Sequence, residues 1–355
     1  MTVLKFTEHT GFYFRISSLL FFNKRNDQRG GSLENRLRLS LEIVREVKKV
    51  VSEYAHNPFV IGYRISPEEM PQKIYGLPET FILMDKLIEE KIDYLHFSLL
   101  DAVHYLRNAT LVIETGEKVI LVDRMLGKKG TASPPFTLFR FKPQRNPIVD
   151  LPNNAIHIVE KTTHCLITHL HPDHLDKEAE NFLRSKQIPI ICSIKDEETL
   201  RKKGLNVSQT VNYWKESPLF DGKIQGIPAI HGYGFVAKPM GNVMGFYIEL
   251  PNEKSIYLSA DTIYTEDVHN VLTQLKPEIS VVACGTAQLD IFQPLLMRMD
   301  DILKFVKNAP NQVIANHLEA VNHCPTTRDQ LKNEISKIGL SEKIFIPNDG
   351  ESRTY

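Results

Sequence analysis

Three imidazoles and a carboxylate fall within six residues of this chain, in the run Thr168-His169-Leu170-His171-Pro172-Asp173-His174. The run follows the apolar stretch Cys165-Leu166-Ile167. A strand ending here would deliver its ligands to a sheet edge, where a loop can wrap a metal ion. Imidazole and carboxylate donors suit zinc and its first-row neighbours. A solvated polar loop is the bland alternative, but it gives no reason for three histidines at this spacing. Later apolar runs also close on ligand types: His231 after Ile227-Pro228-Ala229-Ile230, Asp261 after Tyr257-Leu258-Ser259-Ala260, and His317 after Val313-Ile314-Ala315-Asn316. Each alone reads as a turn, cap or core residue. The series points to one sheet edge and two adjacent cations.

Two close cations each need a few protein ligands and an open position for water. His169, His171 and one later histidine can serve the first, and Asp173, His174 and another later histidine the second. Asp261 is the candidate carboxylate to bridge them and offset their repulsion. Water between two cations has its pKa pulled toward neutrality and becomes a nucleophile, so no serine or cysteine nucleophile is required. Asp173 is a catalytic candidate as well as a ligand candidate. His323 is a candidate substrate-binding or acid/base group, with a structural histidine an equal reading. His96, His104, His157 and His164 read as structural. Glu319 and Asn322 read as ligand-orienting groups or as helix caps.

The elements that must position these groups follow from composition and pattern. At 355 residues the chain fits two domains, and 42% apolar with 24% charged residues is a globular composition. Zero net charge gives no footprint for nucleic acid or an anionic membrane. The four cysteines, Cys165, Cys192, Cys284 and Cys324, form no CxxC pair and sit in or beside apolar runs. They read as reduced core residues, and a cytoplasmic setting is expected. The apolar segment Phe12 to Phe22 carries Arg15 and is too short to span a bilayer, and it lacks a small-residue cleavage site.

Along the chain, Ser32 is a predicted N-cap for a helix striped by Leu33, Leu37, Leu41, Val44 and Val51, ending near Tyr54 to Asn57. Phe59 to Ile65 reads as a buried strand. Pro78 opens a second helix whose Phe81, Met84, Leu87 and Ile88 are expected to face inward, and Tyr94 to Phe97 reads as another strand. That alternation implies parallel strands with helical crossovers. From Asp101 the pattern turns β-rich. His104 to Ile113 and Val119 to Asp123 are expected to form a hairpin, and Gly127 to Pro152 a long loop. Ile156 to Ile167 is expected to be a strand feeding the histidine run. Lys177–Lys186, Asp300–Lys307 and Thr327–Ile338 read as helices, and the apolar runs leading to His231, Asp261 and His317 as strands. Lys128, Lys129, Arg140 and Arg145 make the long loop a candidate anion contact, or simply a solvated basic loop.

Two resemblances sharpen this reading. The stretch Asn23-Lys24-Arg25-Asn26-Asp27-Gln28-Arg29-Gly30-Gly31-Ser32-Leu33-Glu34-Asn35-Arg36 resembles the NxRxDxYGGSxENR signature of the old yellow enzyme family of NADH:flavin oxidoreductases, with Arg29 in place of tyrosine. Gly62-Tyr63-Arg64-Ile65-Ser66-Pro67 resembles that family's next strand, whose arginine contacts the flavin. This covers residues 1–101, a middle slice of a (β/α)8 barrel without its early strands, its substrate-binding His/Asn pair or its phosphate-binding strands. The expectation is a truncated β/α fragment that binds no flavin and transfers no hydride.

Thr168 to His174 resembles the THxHxDH motif of the metallo-β-lactamase fold, and the later order His, Asp, His is similar to its binuclear hydrolases. Asn108-Ala109-Thr110, Asp123, Asn146-Pro147 and the stretch His317 to Cys324 resemble the branch containing L-ascorbate-6-phosphate lactonase, with Arg124 where that branch often has proline. The resemblance covers residues 102–355 and implies an α/β fold, an αββα sandwich with metals at one edge. It implies that His169, His171 and His231 bind one metal, that Asp173, His174 and His317 bind the other, and that Asp261 bridges. The expected protein is a hydrolase with two divalent ions, zinc by default and manganese or iron as alternatives. Its substrate would be a small phosphorylated, lactone or phosphodiester molecule. The competing readings are a flavin (FMN) oxidoreductase-related protein and a non-catalytic metal-binding sandwich.

Overall fold

The computed structural model describes residues 2–7, 23–56, 59–65, 77–97, 102–116, 118–132, 139–251 and 253–355. The apolar segment Phe12 to Phe22 and positions 133–138 of the long loop lie outside them. The chain divides between Leu100 and Asp101 into two compact units.

In the first unit, β1 (Thr2–Thr7), β2 (Phe59–Ile65) and β3 (Tyr94–Phe97) pair in parallel in that order. Helix α1 (Leu33–Tyr54) crosses from β1 to β2, and α2 (Leu77–Glu89) from β2 to β3. Ser32 Oγ accepts the Asn35 amide at 3.3 Å, the expected N-cap. Leu37, Leu41 and Val44 pack on Tyr63, Ile65, Leu83 and Leu87. The inward face of α2 is Thr80, Leu83 and Leu87 with Met84 at its margin, whereas Phe81 and Ile88 are exposed. Positions 80, 83, 84 and 87 follow the helical i, i+3, i+4, i+7 stripe, and 81 and 88 lie on the next face round. A Cβ on Gly62 would lie 2.2 Å from the Tyr94 ring, so the β2–β3 pairing requires glycine there.

The second unit opens with β4 (Ala102–Arg107), β5 (Thr110–Thr115), β6 (Lys118–Val122), β7 (His164–Ile167), β8 (Ile190–Ser193) and β9 (Val207–Val211), adjacent in that order in one sheet. A second sheet holds β10 (Glu216–Leu219), β11 (Gly222–Pro228), β12 (Met244–Glu249), β13 (Ile256–Leu258), β14 (Ile279–Ala283), β15 (Gln312–Asn316) and β16 (Ile344–Phe345), again in sequence order. The last strand, β17 (Ser352–Thr354), joins the first sheet beside β4. The sheets share a core in which Val103, Leu111, Ile120 and Leu166 meet Phe246, Ile256, Leu258 and Val281.

Helices cover both outer faces. On the first sheet, α3 (Ala155–Glu160) buries Ala155, Ile158 and Val159 on Leu106, Val112 and Leu121, and α4 (Lys177–Lys186) buries Ala179 and Leu183 on Cys165, Ile167 and Ile190. The short α5 (Glu197–Lys202) adds Leu200 to the same layer. On the second sheet, α6 (Glu266–Asn270), α7 (Met299–Asn308) and α8 (Arg328–Lys337) contribute Val268, Ile302, Phe305, Val306, Leu331 and Ile335. The architecture is α/β, a four-layer αββα sandwich. The four cysteines are buried and free. Among the described residues, no helix is long and apolar enough to cross a membrane.

Two expected strands fold otherwise. The run His104 to Ile113 is not continuous: it reverses at Asn108-Ala109, with Asn108 at φ +58°, and becomes β4 and β5. Asparagine tolerates this left-handed conformation better than most residues. The first half of Ile156 to Ile167 is α3, because Ala155, Ile158 and Val159 fall at helical spacing while Ile156 is exposed. Helix α5 and strands β9 and β10 carry little apolar periodicity and were not anticipated.

Candidate metal centre

Strands β11, β13, β14 and β15 run in one direction, since β12 is antiparallel to both β11 and β13 while β13, β14 and β15 are mutually parallel. The loops after β11, β13 and β15 therefore leave from one edge, carrying His231, Asp261 and His317. The loop after β7 brings His169 to His174 to the same place: the Met244 amide bonds Thr168 O at 3.0 Å, across the two sheets.

Asp261 Oδ2 lies at the middle. It is 3.2 Å from His174 Nε2, 3.4 Å from His231 Nε2 and His317 Nε2, and 4.0 Å from His169 Nε2. Around it, His169, His171 and His231 form one group of donor atoms within 4.8 Å of one another, and Asp173, His174 and His317 form another. Asp173 Oδ2 lies 3.1 Å from His317 Nε2. All seven ligand candidates read from the sequence are brought together.

Proton accounting says which nitrogens face inward. Asp123, at the end of β6, accepts from the Thr168 amide at 2.8 Å, from the Thr168 hydroxyl at 2.6 Å and from His174 Nδ1 at 2.9 Å. Thr168 has spent its one hydroxyl proton on Asp123, so its oxygen accepts from His169 Nδ1 at 2.9 Å. His231 Nδ1 donates to Leu295 O at 2.9 Å, and His317 Nδ1 lies 3.4 Å from Cys324 Sγ. Each of these four rings thus has its Nδ1 occupied and turns its Nε2 to the centre. Two such nitrogens, on His174 and His317, face each other at 3.3 Å, and His169 Nε2 is buried with no hydrogen-bond partner. Imidazole nitrogens converging on a buried carboxylate, each able to give up its proton for a metal, make a donor set that fits divalent cations.

The electrostatics agree. Burial alone would raise the carboxyls of Asp173 and Asp261, but His174 and His317 hold both well below the usual range. Burial alone would lower His174 and His317, but the carboxylates raise His174 to about 10 and hold His317 well above its ordinary value. Burial dominates at His169 and His231, whose pKa values fall. Without metal, protons on His174 and His317 supply the positive charge this centre requires. His174 contributes stability that is complete below its unfolded pKa of 6.5 and is lost as pH rises through about 10. The melting temperature of metal-stripped protein is therefore expected to fall from pH 7 to pH 10, and that of metal-loaded protein to stay level, in paired thermal-shift titrations. Equal pH profiles for the two forms would contradict this.

Several residues that build the site had no assigned role in the sequence reading. Asn108 O accepts the His317 amide at 2.8 Å, and Asn108 Nδ2 donates to Asp173 Oδ2 at 3.3 Å, so the β4–β5 turn ties the two ligand loops together. Asp123, Ala260, His317 and Glu319 all adopt positive φ, each at a cost of about 1–2 kcal/mol. A Cβ on Gly285 would lie 2.2 Å from His317 O and 2.8 Å from Cys324 Sγ. Gly285→Ala is accordingly expected to displace His317 and reduce metal content to about half or less, measured by plasma mass spectrometry on folded protein. Wild-type metal content in that variant would show that the loop yields instead. The available sequence signals were a glycine after a buried strand and an aspartate closing an apolar one.

Other candidates separate from the centre. Glu319 pairs with Arg328 at 2.7 Å, and the Asn322 amide bonds Asn146 Oδ1 at 3.0 Å. His104 bonds Ser352 at 2.6 Å, His164 packs on the Phe220 ring and His157 is exposed. The side chain of His96 lies outside the described residues. In the long loop, Arg140 donates to Asp290 O and Arg145 to Gly130 O and Thr131 O. Arg145 thus serves the loop's own backbone, and Arg140 ties the loop to the one after β14. Arg107, fully buried beneath it, donates to Met125 O, Gly127 O and Val149 O. His323 stands near the centre, with Nδ1 buried and without a hydrogen-bond partner; burial lowers its pKa to about 4.

A four-layer αββα sandwich with a histidine and aspartate cluster at one sheet edge defines a metal-dependent hydrolase of the metallo-β-lactamase fold. The chain belongs to the beta-lactamase superfamily, whose domain family matches residues 120–315. UPF0173 protein YddR of Bacillus subtilis (strain 168) is 33% identical over 254 residues, 70% of this chain and 98% of that one. Among solved structures, a possible metal-dependent hydrolase from Veillonella parvula DSM 2008 is 28% identical with a TM-score of 0.66, over 72% of this chain and 100% of its own. An isothiocyanate hydrolase from Delia radicum gut bacteria is 30% identical with a TM-score of 0.65, over 72% and 99%. At the other end, the NADH:flavin oxidoreductase / NADH oxidase family matches residues 11–134. The probable NADH-dependent flavin oxidoreductase YqiG of Bacillus subtilis (strain 168) is 49% identical over 79 residues, 22% of this chain. The chain spans about a fifth of that relative's length, 21%.

Proposed function

We propose that this protein hydrolyses a small, uncharged carbon electrophile, of the lactone or isothiocyanate type, with two divalent first-row cations. His169, His171 and His231 would hold one ion, Asp173, His174 and His317 the other, and Asp261 would be shared. The observation that carries the reading is the convergence of imidazole Nε2 atoms on Asp261 Oδ2. Zinc is the default ion, and manganese or iron suits the mixed donor set nearly as well. When bound, the cations supply Lewis acidity that acidifies water and polarises the electrophile.

The chain's own residues do the rest. Asp173 is the more exposed of the two central carboxylates and is steadied by Asn108, so it orients the attacking water, whose proton passes to solvent. His323, neutral at physiological pH, hydrogen-bonds the substrate heteroatom as negative charge builds there. Water's oxygen bonds to the electrophilic carbon, and the displaced electron pair goes to that heteroatom. Three things favour carbon over phosphorus. The guanidinium groups of the long loop are engaged by backbone carbonyls. The sequence resembles a lactonase branch. A structural relative of 30% identity is named an isothiocyanate hydrolase.

The test is a substrate panel with metal-reconstituted full-length protein: γ-lactones, alkyl isothiocyanates and bis-p-nitrophenyl phosphate, each also with a His171→Ala, Asp261→Ala variant. Turnover of a carbon electrophile by the wild type alone supports the proposal. Turnover of the phosphodiester alone would move the reading to phosphoryl transfer, and turnover of none would remove it.

A further inference from the structure

The loops that carry and brace the His231 ligand position also carry exposed apolar side chains. Ile230 immediately precedes His231, and Phe235, four residues beyond it, is 99% exposed. The loop after β14 presents Ile291, 74% exposed, and Phe292. The two loops are joined: His231 Nδ1 bonds Leu295 O at 2.9 Å, and the Tyr233 amide bonds Pro294 O at 3.0 Å. The second loop also reaches His323, whose carbonyl accepts the Gln288 amide at 3.0 Å, while Gln288 Nε2 bonds Phe292 O at 3.3 Å. Phe139 flanks the same loop from the other side, where the Arg140 amide bonds Asp290 Oδ1 at 2.7 Å.

The roots of these loops are rigid. Val236, Ala287, Leu295 and Leu296 are buried in one cluster with Val321 and Cys324. Phe235 is thus fully exposed next to a fully anchored Val236. Two cationic groups by these loops are engaged, since Arg298 lies over the Tyr233 ring and donates to Gln293 and Arg140 is held by Asp290, while Lys238 is exposed beyond Val236. Apolar tips on a buried base, on the two loops that carry and brace His231, are a binding feature rather than scattered surface hydrophobicity.

We infer that Ile230, Phe235, Ile291 and Phe292 form a docking rim for an aliphatic or aromatic arm of the substrate, so that this hydrolase selects apolar-tailed electrophiles. The inference rests on the hydrolase reading above. The occupant is fixed by continuity, because the rim begins at the residue before His231 and ends at the loop that holds Leu295 against it.

The experiment uses metal-reconstituted full-length protein and two probe series, n-alkyl isothiocyanates from methyl to hexyl and γ-lactones with side chains of matching length. The expected result is kcat/KM rising about two- to threefold per methylene, mainly through KM, with a slope flattened in a Phe235→Ser, Phe292→Ser variant. Turnover independent of chain length would overturn the rim and leave the hydrolase reading standing. No turnover of either series would remove both. Concentration-dependent dimerisation on a sizing column, abolished by the same variant, would make the patch a contact between copies of the chain and overturn the inference.

Discussion

Asp123→Ala is expected to weaken metal binding by about 10- to 100-fold and to reduce hydrolysis with it, in a protein that still folds. Asp123 touches no candidate ligand atom at the centre. It fixes the His174 tautomer through Nδ1 and orders Thr168, which in turn fixes His169. Two neighbouring imidazoles, with ring centroids 3.9 Å apart and one in each donor group around Asp261, therefore depend on one carboxylate. Alanine frees both rings to rotate and to present N–H where a lone pair is needed. Asparagine tests the mechanism more sharply. Its shape is preserved, but its amide N–H would meet either the His174 Nδ1 proton or the Thr168 donors, so Asp123→Asn should restore packing without restoring affinity. Calorimetric titration of metal-stripped protein with Zn2+ reads the effect. Wild-type affinity in Asp123→Asn would show that the carboxylate merely fills space.

Arg124→Met is expected to stabilise the protein by about 2 kcal/mol, or about 5 °C in Tm. Arg124 follows Asp123 and is fully buried, and its guanidinium nitrogens meet no oxygen acceptor, only the weakly accepting Cys165 thiol. Burial lowers its pKa, with Cys165, Asp123 and Asp176 opposing. An uncompensated buried cation costs several kcal/mol in desolvation. Methionine keeps the length of the stem and loses the charge. The backbone at this position is held independently: the Arg124 amide bonds His174 O, and Arg124 O accepts the Asp176 amide at 3.1 Å. Those bonds survive the substitution, so the ligand loop should stay in place and metal content should be unchanged. A lower Tm in differential scanning calorimetry would show that the guanidinium is paired in solution and is part of the fold's support.

The ligands were legible because strand ends are legible. Val313-Ile314-Ala315-Asn316 and Tyr257-Leu258 are apolar runs with a polar stop, and the stop is where a metal ligand can emerge from a buried sheet. Their sharing of one edge follows from parallel β13, β14 and β15, for which the sequence shows the helix between β14 and β15 but not the one at Glu266–Asn270. What was not legible depended on tertiary geometry. Asn108 lay inside an apparently continuous strand, and only its left-handed turn turns its carbonyl toward the His317 amide. Ala155, Ile158 and Val159 stand at helical spacing, but the apolar run that continues to Ile167 masks it, and the short helix is held by the outer face of β5 and β6 beneath it. Gly285 declares its role only when the His317 loop lies across it. The anion-binding expectation for Arg140 and Arg145 rested on charge alone, whereas their side chains bond to loop carbonyls.

The central claim is that the seven converging side chains hold catalytic metal. Metal content of purified full-length protein by plasma mass spectrometry, beside the His171→Ala, Asp261→Ala variant, tests it most directly. About two first-row ions per chain in the wild type, lost in the folded variant, is the result the account predicts. A folded wild type that takes up no first-row metal even after incubation with Zn2+, Mn2+ or Fe2+ would contradict it.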